Sequence, residues 1–362
     1  MKLVAQASLL ATAGGLARAG LRTIDKIPAV LIVAAGGGAI TCTVPTRDVT
    51  ITAKMNATVT EPGQAVVAAD KLAALTASFD PDARVTITAT DTAATITCSN
   101  SSSRLASIPE AGLPTMLAID TEIGRVDLSA ADLLRLLEPL AAAGTEKSRY
   151  YLCGICLQSI DNDLVATGAD GVRLLRAAVK AAPFSEGRDL IVPYEGARLI
   201  ARLIRQTGPD TITLRRSKRL LSVSAPRFQL ITRLIDHVYP DCSALIPKPS
   251  PNAVTCSRAD LLGGLRRLNA VAGSEAPLAA LQWREGEPLR LYLAREPDNT
   301  DSIDAKATGG VQIALALSPL ISMIEAFACE RLQLETDAAG PLKIIGEDML
   351  GLLARNAWSF QP

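Results

Sequence analysis

The chain has 362 residues, of which 48% are hydrophobic, 20% charged and only 3% aromatic, with 37 Lys and Arg balancing 37 Asp and Glu. That length exceeds what one hydrophobic core usually supports, and the apolar content excludes long disordered tracts. Zero net charge leaves no global basic excess, so any nucleic-acid binding must use a local face.

Met1 to Gly20 loosely imitates a secretory signal, with Lys2, a Leu- and Ala-rich run and Ala17-Arg18-Ala19. Gln6 and Ser8 interrupt the run, and Arg18 places a charge where a cleavage region is usually neutral. A strand followed by an amphipathic helix is the expectation, and no other stretch approaches the ~18 to 20 apolar residues of a membrane span. The expected location is the cytoplasm.

In chain order, one motif then appears three times. A short stretch leads into a Leu-Leu helix at Ala5 to Leu10, at Ser129-Ala-Ala-Asp-Leu-Leu134 and at Ser257-Arg-Ala-Asp-Leu-Leu262, with the leucine pairs starting at Leu9, Leu133 and Leu261. Ser129 and Ser257 are placed as N-caps, each with an Asp three residues on, near the positive end of the helix dipole. Between the first two copies, Val30 to Ala34 and Ala39 to Val44 flank Gly36-Gly37-Gly38, which reads as a hairpin turn ahead of a phosphate loop.

Second apolar helices are predicted at Ala69 to Phe79, Tyr194 to Arg205 and Ser318 to Cys329. Alternating strands follow at Arg84 to Thr90, Asp210 to Arg215 and Arg331 to Glu335. Period-two alternation marks sheets with one buried face. Each copy is thus an α+β unit, roughly β-α-β-β-β-α followed by strands. Composition shifts at Pro109 to Arg125 and at Pro247-Lys-Pro-Ser-Pro251 give three domains, 1–120, 121–249 and 250–362. Such units are far longer than the roughly 20–45 residues of solenoid repeats.

The seven cysteines are scattered and odd in number, which suits reduced thiols. Cys153-Gly-Ile-Cys156 spells C-x-x-C, but Tyr150 to Leu157 reads as a strand, whose residues three apart face opposite ways. With His237 as the only histidine, metal sites are not expected, nor any cofactor. No Ser/His/Asp spacing, phosphate-binding loop or paired carboxylates are present to carry catalysis. A repeat-built enzyme with a concealed site, with C-x-x-C as its handle, is the competing class.

Three strings, Arg149-Tyr-Tyr-Leu-Cys-Gly154, Ala169-Asp-Gly-Val-Arg-Leu174 and Tyr239-Pro-Asp-Cys-Ser-Ala-Leu-Ile-Pro-Lys248, together with the tripling, resemble the bacterial DNA polymerase III beta subunit, the sliding clamp family. The family strings run approximately R-Y-Y-L-N-G, T-D-G-H-R-L and F-P-D-Y-R-x-[VL]-[IL]-P, in the same order. Leu190-Ile-Val-Pro193 also matches the family's approach to its second middle-domain helix. The chain departs where Val172 replaces the family's histidine, where Ser243 and Ala244 replace a basic residue, and where Trp358 to Pro362 replaces the usual M-P-M-R-L ending. It therefore resembles a divergent member.

The resemblance implies a non-enzymatic processivity factor. Three domains of the DNA-clamp fold would place helices along a ring and antiparallel sheets outside, with two chains joined head to tail as a homodimer around double-stranded DNA of any sequence. The DNA-facing set would be Arg22, Lys26, Lys71, Arg135, Lys147, Arg149, Tyr150, Tyr151, Arg198 and Arg202, with Arg18, Arg205, Arg266 and Arg267 as further candidates. An apolar pocket for peptides of DNA polymerase III, the clamp loader and other clamp-binding proteins would use Leu152, Gly171, Val172, Arg173, Leu174, Pro240 and Leu245. The alternative is a clamp-like paralog that acts as a resistance variant or sequesters partners.

Overall fold

A computed structural model describes residues 1–19, 29–35, 38–184, 189–273, 275–337, 339–347 and 349–356. Arg22 and Lys26, Gly36 and Gly37, and the Trp358 to Pro362 ending lie outside the described residues. The chain forms two compact units, Met1–Leu133 with Glu195–Ile235, and Leu134–Tyr194 with Asp236–Pro362.

Six helices are described: α1 (Ala7–Ala19), α2 (Ala69–Ala77), α3 (Ala130–Leu137), α4 (Tyr194–Thr207), α5 (Arg258–Val271) and α6 (Leu317–Ala326). Each follows directly on a strand, respectively Lys2–Gln6, Gly63–Ala68, Gly124–Ser129, Leu190–Pro193, Ala253–Ser257 and Gly310–Ala316. The two serine caps form as expected, Ser129 Oγ accepting from the Asp132 amide at 3.0 Å and Ser257 Oγ from the Asp260 amide at 3.3 Å. Such caps satisfy amides that the helix itself leaves unpaired.

The tripling extends to single hydrogen bonds. The first amide of α1, α3 and α5 donates to the carbonyl preceding the later strand of its own repeat: Ala7 to Ala83 at 2.9 Å, Ala130 to Asp210 at 3.0 Å, and Arg258 to Glu330 at 2.9 Å. The strands after the second helices are Arg84–Ala89, Thr211–Arg216 and Arg331–Glu335. The expected count of three strands between the helices is too low. Five intervene in the first and third repeats and four in the second, because the apolar run between the helices folds back into additional hairpins. Two helix ends are also corrected. The third repeat's second helix stops at Ala326, where Phe327 turns to an extended backbone with φ −76° and ψ 140° and buries its ring. The first stops at Ala77, two residues before Phe79.

In the first unit, one antiparallel sheet runs Thr58–Glu61, Lys2–Gln6, Arg84–Ala89, Ala93–Cys98, Ser101–Ala106. A second, eight-stranded sheet joins the repeats: Phe228–Arg233 of the second pairs antiparallel with Val49–Asn56 of the first, from Phe228 opposite Ala53 to Thr232 opposite Val49. The segment between the repeats lies over this junction, the Leu117 amide donating to Thr50 Oγ1 at 2.9 Å. The glycine hairpin forms, with Ala35 opposite Ala39 and Gly38 at φ +84°.

The second unit is built the same way. Its nine-stranded sheet joins Arg173–Lys180 to Met349–Leu353, from Arg173 opposite Leu353 to Ala177 opposite Met349. A four-stranded sheet runs Glu296–Ile303, Leu289–Leu293, Leu278–Arg284, Gly310–Ala316. Trp283, Leu261, Leu265, Leu320 and Met323 fill the core, with Leu175 and Ala177 of the junction strand. Close backbone packing explains Gly168: a Cβ there would lie 2.0 Å from the Pro139 carbonyl oxygen.

The proline-rich segment is fastened to this sheet. Ser250 Oγ donates to the Thr336 carbonyl at 2.9 Å, and Lys343 Nζ reaches the Pro247 carbonyl at 3.5 Å. Lys343 is buried and paired with buried Glu335 at 3.0 Å, while Gln333 Nε2 donates to the other Glu335 oxygen at 2.6 Å. Removing one partner of a buried pair leaves an uncompensated charge, a loss of about 3–5 kcal/mol, whereas an apolar pair of similar volume is often neutral. Lys343→Met is therefore expected to lower the unfolding midpoint sharply, and Lys343→Met with Glu335→Leu to recover most of the loss in the same denaturant titration.

Candidate functional site

The seven expected pocket residues sit on three turns, Lys147–Leu152, Asp170–Arg173 and Ser243–Leu245, on the strand that starts at Arg173, and, for Pro240, on the segment leading to the last turn. Asp170 to Arg173 closes a hairpin between Asp163–Ala169 and Arg173–Lys180. Gly171 takes φ +94°, the left-handed backbone that a two-residue hairpin turn demands and a side chain resists. Asp170 Oδ1 accepts from the amides of Val172 at 2.8 Å and Arg173 at 2.7 Å, and its Oδ2 accepts from Arg173 Nε at 2.9 Å.

That turn throws Val172 outward, 52% exposed, while its carbonyl accepts from the Ala354 amide at 2.9 Å. Arg173 is held at a fixed orientation by Asp170 on one side and by Ser322 Oγ at 2.8 Å on the other. Leu152 and Leu174 are buried, while Pro240 and Leu245 are exposed, Leu245 on a short 3-10 turn at Ser243–Leu245. Arg176 Nη1 reaches Ser243 Oγ at 3.4 Å and ties this turn to the strand that starts at Arg173. Buried Tyr239 anchors the segment next to Pro240, and burial pushes its phenol above the usual range. The arrangement offers apolar surface beside one oriented guanidinium, which suits a hydrophobic anchor flanked by backbone or carboxylate oxygens.

The strand expected over Tyr150 to Leu157 is corrected. Lys147–Leu152 forms a 3-10 turn and the strand starts at Gly154. Leu152 is buried, and Tyr151 stacks on His237 with centroids 4.7 Å apart and 15° between planes. Tyr150 meets the same imidazole edge-on at 5.5 Å. The sequence reading missed His237 as the base of this cluster, since nothing local pairs it with tyrosines so far away in the chain. Cys153 is half-buried and Cys156 buried, all seven cysteines are free thiols, and no metal-ligating group of three or more exists among the described residues.

Among the residues whose side chains are described, the basic candidates lie on α2, α3, α4 and α5 and on the Lys147–Leu152 turn, with Arg198 and Arg202 half-buried and the others exposed. On α4 the apolar positions Ala197, Ile200, Leu203 and Ile204 are buried, leaving Glu195, Arg198, Arg202 and Arg205 along the other side. Lys71 on α2 and Arg135 on α3 are exposed, as is Lys147. Several of the cations are held by carboxylates: Arg149 by Glu146 at 2.6 Å, Arg198 by Glu195 at 2.7 Å, Arg266 by Glu325 at 2.7 Å and Arg267 by Asp301 at 2.6 Å. The first two partners stand three residues upstream in sequence, whereas Glu325 and Asp301 arrive only through the tertiary fold.

The hydrogen bond from Arg267 holds the Asp301 carboxyl below its usual range. A carboxyl lowered in this way stabilises the fold above its unfolded pKa of about 3.9, and the contribution disappears as pH falls through the depressed value. In a carbon-detected NMR titration, Asp301 should titrate with a midpoint below ~3.9, and Arg267→Ala should return it toward that reference. A midpoint unmoved by the substitution would show that the pair does not form in solution. At the hairpin, Asp170→Ala removes three bonds to a charged acceptor and should cost about 2 kcal/mol. Asp170→Asn, which keeps an acceptor for the amides, should cost less in the same denaturation assay.

Residues 128–241 match the family described as DNA polymerase III beta subunit, central domain. The chain is 25% identical to the beta sliding clamp of Pseudomonas putida over 301 residues, 80% of each chain. It is 27% identical to that of Rickettsia bellii over 183 residues, 49% of this chain and 48% of the relative. A crystal structure of the DNA polymerase sliding clamp from Pseudomonas aeruginosa superposes with a TM-score of 0.87 at 19% identity, covering 99% of this chain and 100% of that one. A sliding clamp from Bartonella birtlesii, bound to griselimycin, gives 0.88 at 21% with the same coverage. The fold is that of DNA sliding clamps, mixed helices and antiparallel sheets over the full chain.

Proposed function

Because this chain is a divergent member of the DNA polymerase III beta subunit family, we propose that it acts without catalysis, as a sliding clamp that encircles duplex DNA and tethers a polymerase. The observation that carries this reading is the full-length likeness to solved clamps, combined with the family match over residues 128–241. In this reading the chain divides at about residues 120 and 250 into three domains, and two chains close head to tail into a ring. A heterologous contact of that kind closes when its rotation does.

Duplex DNA presents one negative charge per ~1.7 Å, so exposed helix cations attract it without reading bases. Lys71, Arg135, Lys147, Arg149, Arg198 and Arg202, with Tyr150 and Tyr151, form the DNA-facing set among the described residues, and Arg205, Arg266 and Arg267 are its further candidates. Leu152, Gly171, Val172, Arg173, Leu174, Pro240 and Leu245 form the peptide pocket. With Val172 at the exposed tip of the Asp170 turn, the pocket rim is apolar and favours partners with aliphatic or aromatic anchors. The partners are DNA polymerase III, a clamp loader and other proteins carrying a short clamp-binding peptide, acting in the cytoplasm.

The test is retention after loading. On a nicked circle the protein is expected to stay bound through gel filtration, and on the same DNA linearised it should run off the ends. Equal retention on both forms would reduce the reading to simple affinity. Leu245→Asp should weaken capture of a clamp-binding peptide roughly tenfold or more, since burying a leucine side chain is worth ~1.5–3 kcal/mol. Fluorescence polarisation with a labelled peptide measures it.

A further inference from the structure

The basic residues fall into two electrostatic classes. Arg149 gives both Nε and Nη2 to one Glu146 oxygen, at 2.8 and 2.6 Å, and Arg198 gives the same two groups to one Glu195 oxygen, at 2.9 and 2.7 Å. Arg267 Nε donates to Asp301 Oδ2 at 2.6 Å. Among the described residues, Lys71, Lys147 and Arg202 meet no carboxylate. On α4 the two classes alternate along a single polar, partly exposed face, Glu195 and Arg198 paired and Arg202 one turn further on.

The distinction matters for a polyanion. A guanidinium engaged by a carboxylate presents almost no net charge beyond the screening length of about 8–10 Å, and a phosphate must displace the carboxylate to reach it. A lone ammonium or guanidinium pays no such exchange. Pairing also perturbs the groups involved: hydrogen bonds from Ser148 and Arg149 hold the Glu146 carboxyl low, and Asp301 is low for the corresponding reason.

Resting on the reading of these surfaces as DNA-facing, we propose that Glu146, Glu195 and Asp301 are positioning residues that occupy Arg149, Arg198 and Arg267 and so limit the grip on the DNA phosphodiester backbone. The free cations then supply the attraction and the paired arginines are held in reserve.

The experiment is anisotropy of a fluorescein-labelled linear duplex titrated with the full-length chain across a range of salt. Replacing the carboxylates in a Glu146→Gln, Glu195→Gln, Asp301→Asn variant should tighten binding about 1.4- to 5-fold for each pair freed. The salt dependence should steepen toward ~0.9 per additional phosphate contact. Adding Arg149→Ala, Arg198→Ala and Arg267→Ala to that variant should abolish the gain. A gain that survives loss of the arginines would be plain removal of negative charge and would overturn the proposal. So would an unchanged affinity in the carboxylate variant while Lys71→Ala, Lys147→Ala and Arg202→Ala together weaken binding, and in that case the DNA-facing reading stands. If neither set of substitutions alters affinity, the DNA-facing reading fails and the proposal with it. Melting curves of every variant verify that each remains folded.

Discussion

Backbone ladders that cross from one repeat to the next are the interaction on which the rest of this structure depends. Phe228–Arg233 pairs with Val49–Asn56 in the first unit, and Arg173–Lys180 pairs with Met349–Leu353 in the second. Each ladder fixes register by its own geometry, because a slip of one residue would turn every buried side chain to the wrong face. At the first junction Phe228, Leu230, Ile51 and Ala53 are all buried, so a slip would expose most of an apolar layer. The strand beginning at Arg173 serves two purposes. It holds the junction and also carries the hairpin that presents Val172 and orients Arg173.

The same economy governs the helices. α4 buries Ala197, Ile200, Leu203 and Ile204 and leaves one side to charge. The periodicity that makes it fold is thus also what lines up Glu195, Arg198 and Arg202. An acidic residue in the first turn and an arginine in the last agree with the helix dipole. Stability and surface chemistry are written by one pattern.

How much of this was legible in sequence depended on the range of the interaction. The Ser129 and Ser257 caps, the helix from Tyr194 and the strand Arg331–Glu335 were readable because their signals lie within a few residues. The glycine hairpin was readable for the same reason. Family strings supplied the expected pocket residues, and the Asp170 turn explains why that local string has its form. What was hidden was set at a distance. Tyr150 to Leu152, the end of the Lys147–Leu152 turn, read as the start of a strand although its two tyrosines pack on the distant His237, and α6 stops where Phe327 turns into the core. Extra hairpins between the helices were missed because a continuous apolar, β-prone run does not announce where it bends. The carboxylates holding Arg266 and Arg267 come from elements far along the chain.

The junction strands bear on how this protein can be dissected. Scission within Pro247 to Pro251 would look harmless from composition alone, since the segment belongs to no strand. Yet separating the fragments would strip Arg173–Lys180 and Met349–Leu353 of their partners and leave two naked strand edges, lined by Leu175 and Leu353. Unprotected edges of that kind template aggregation. Truncated products of this polypeptide should therefore be recovered as insoluble material or as promiscuous oligomers, and intact length becomes a condition of solubility.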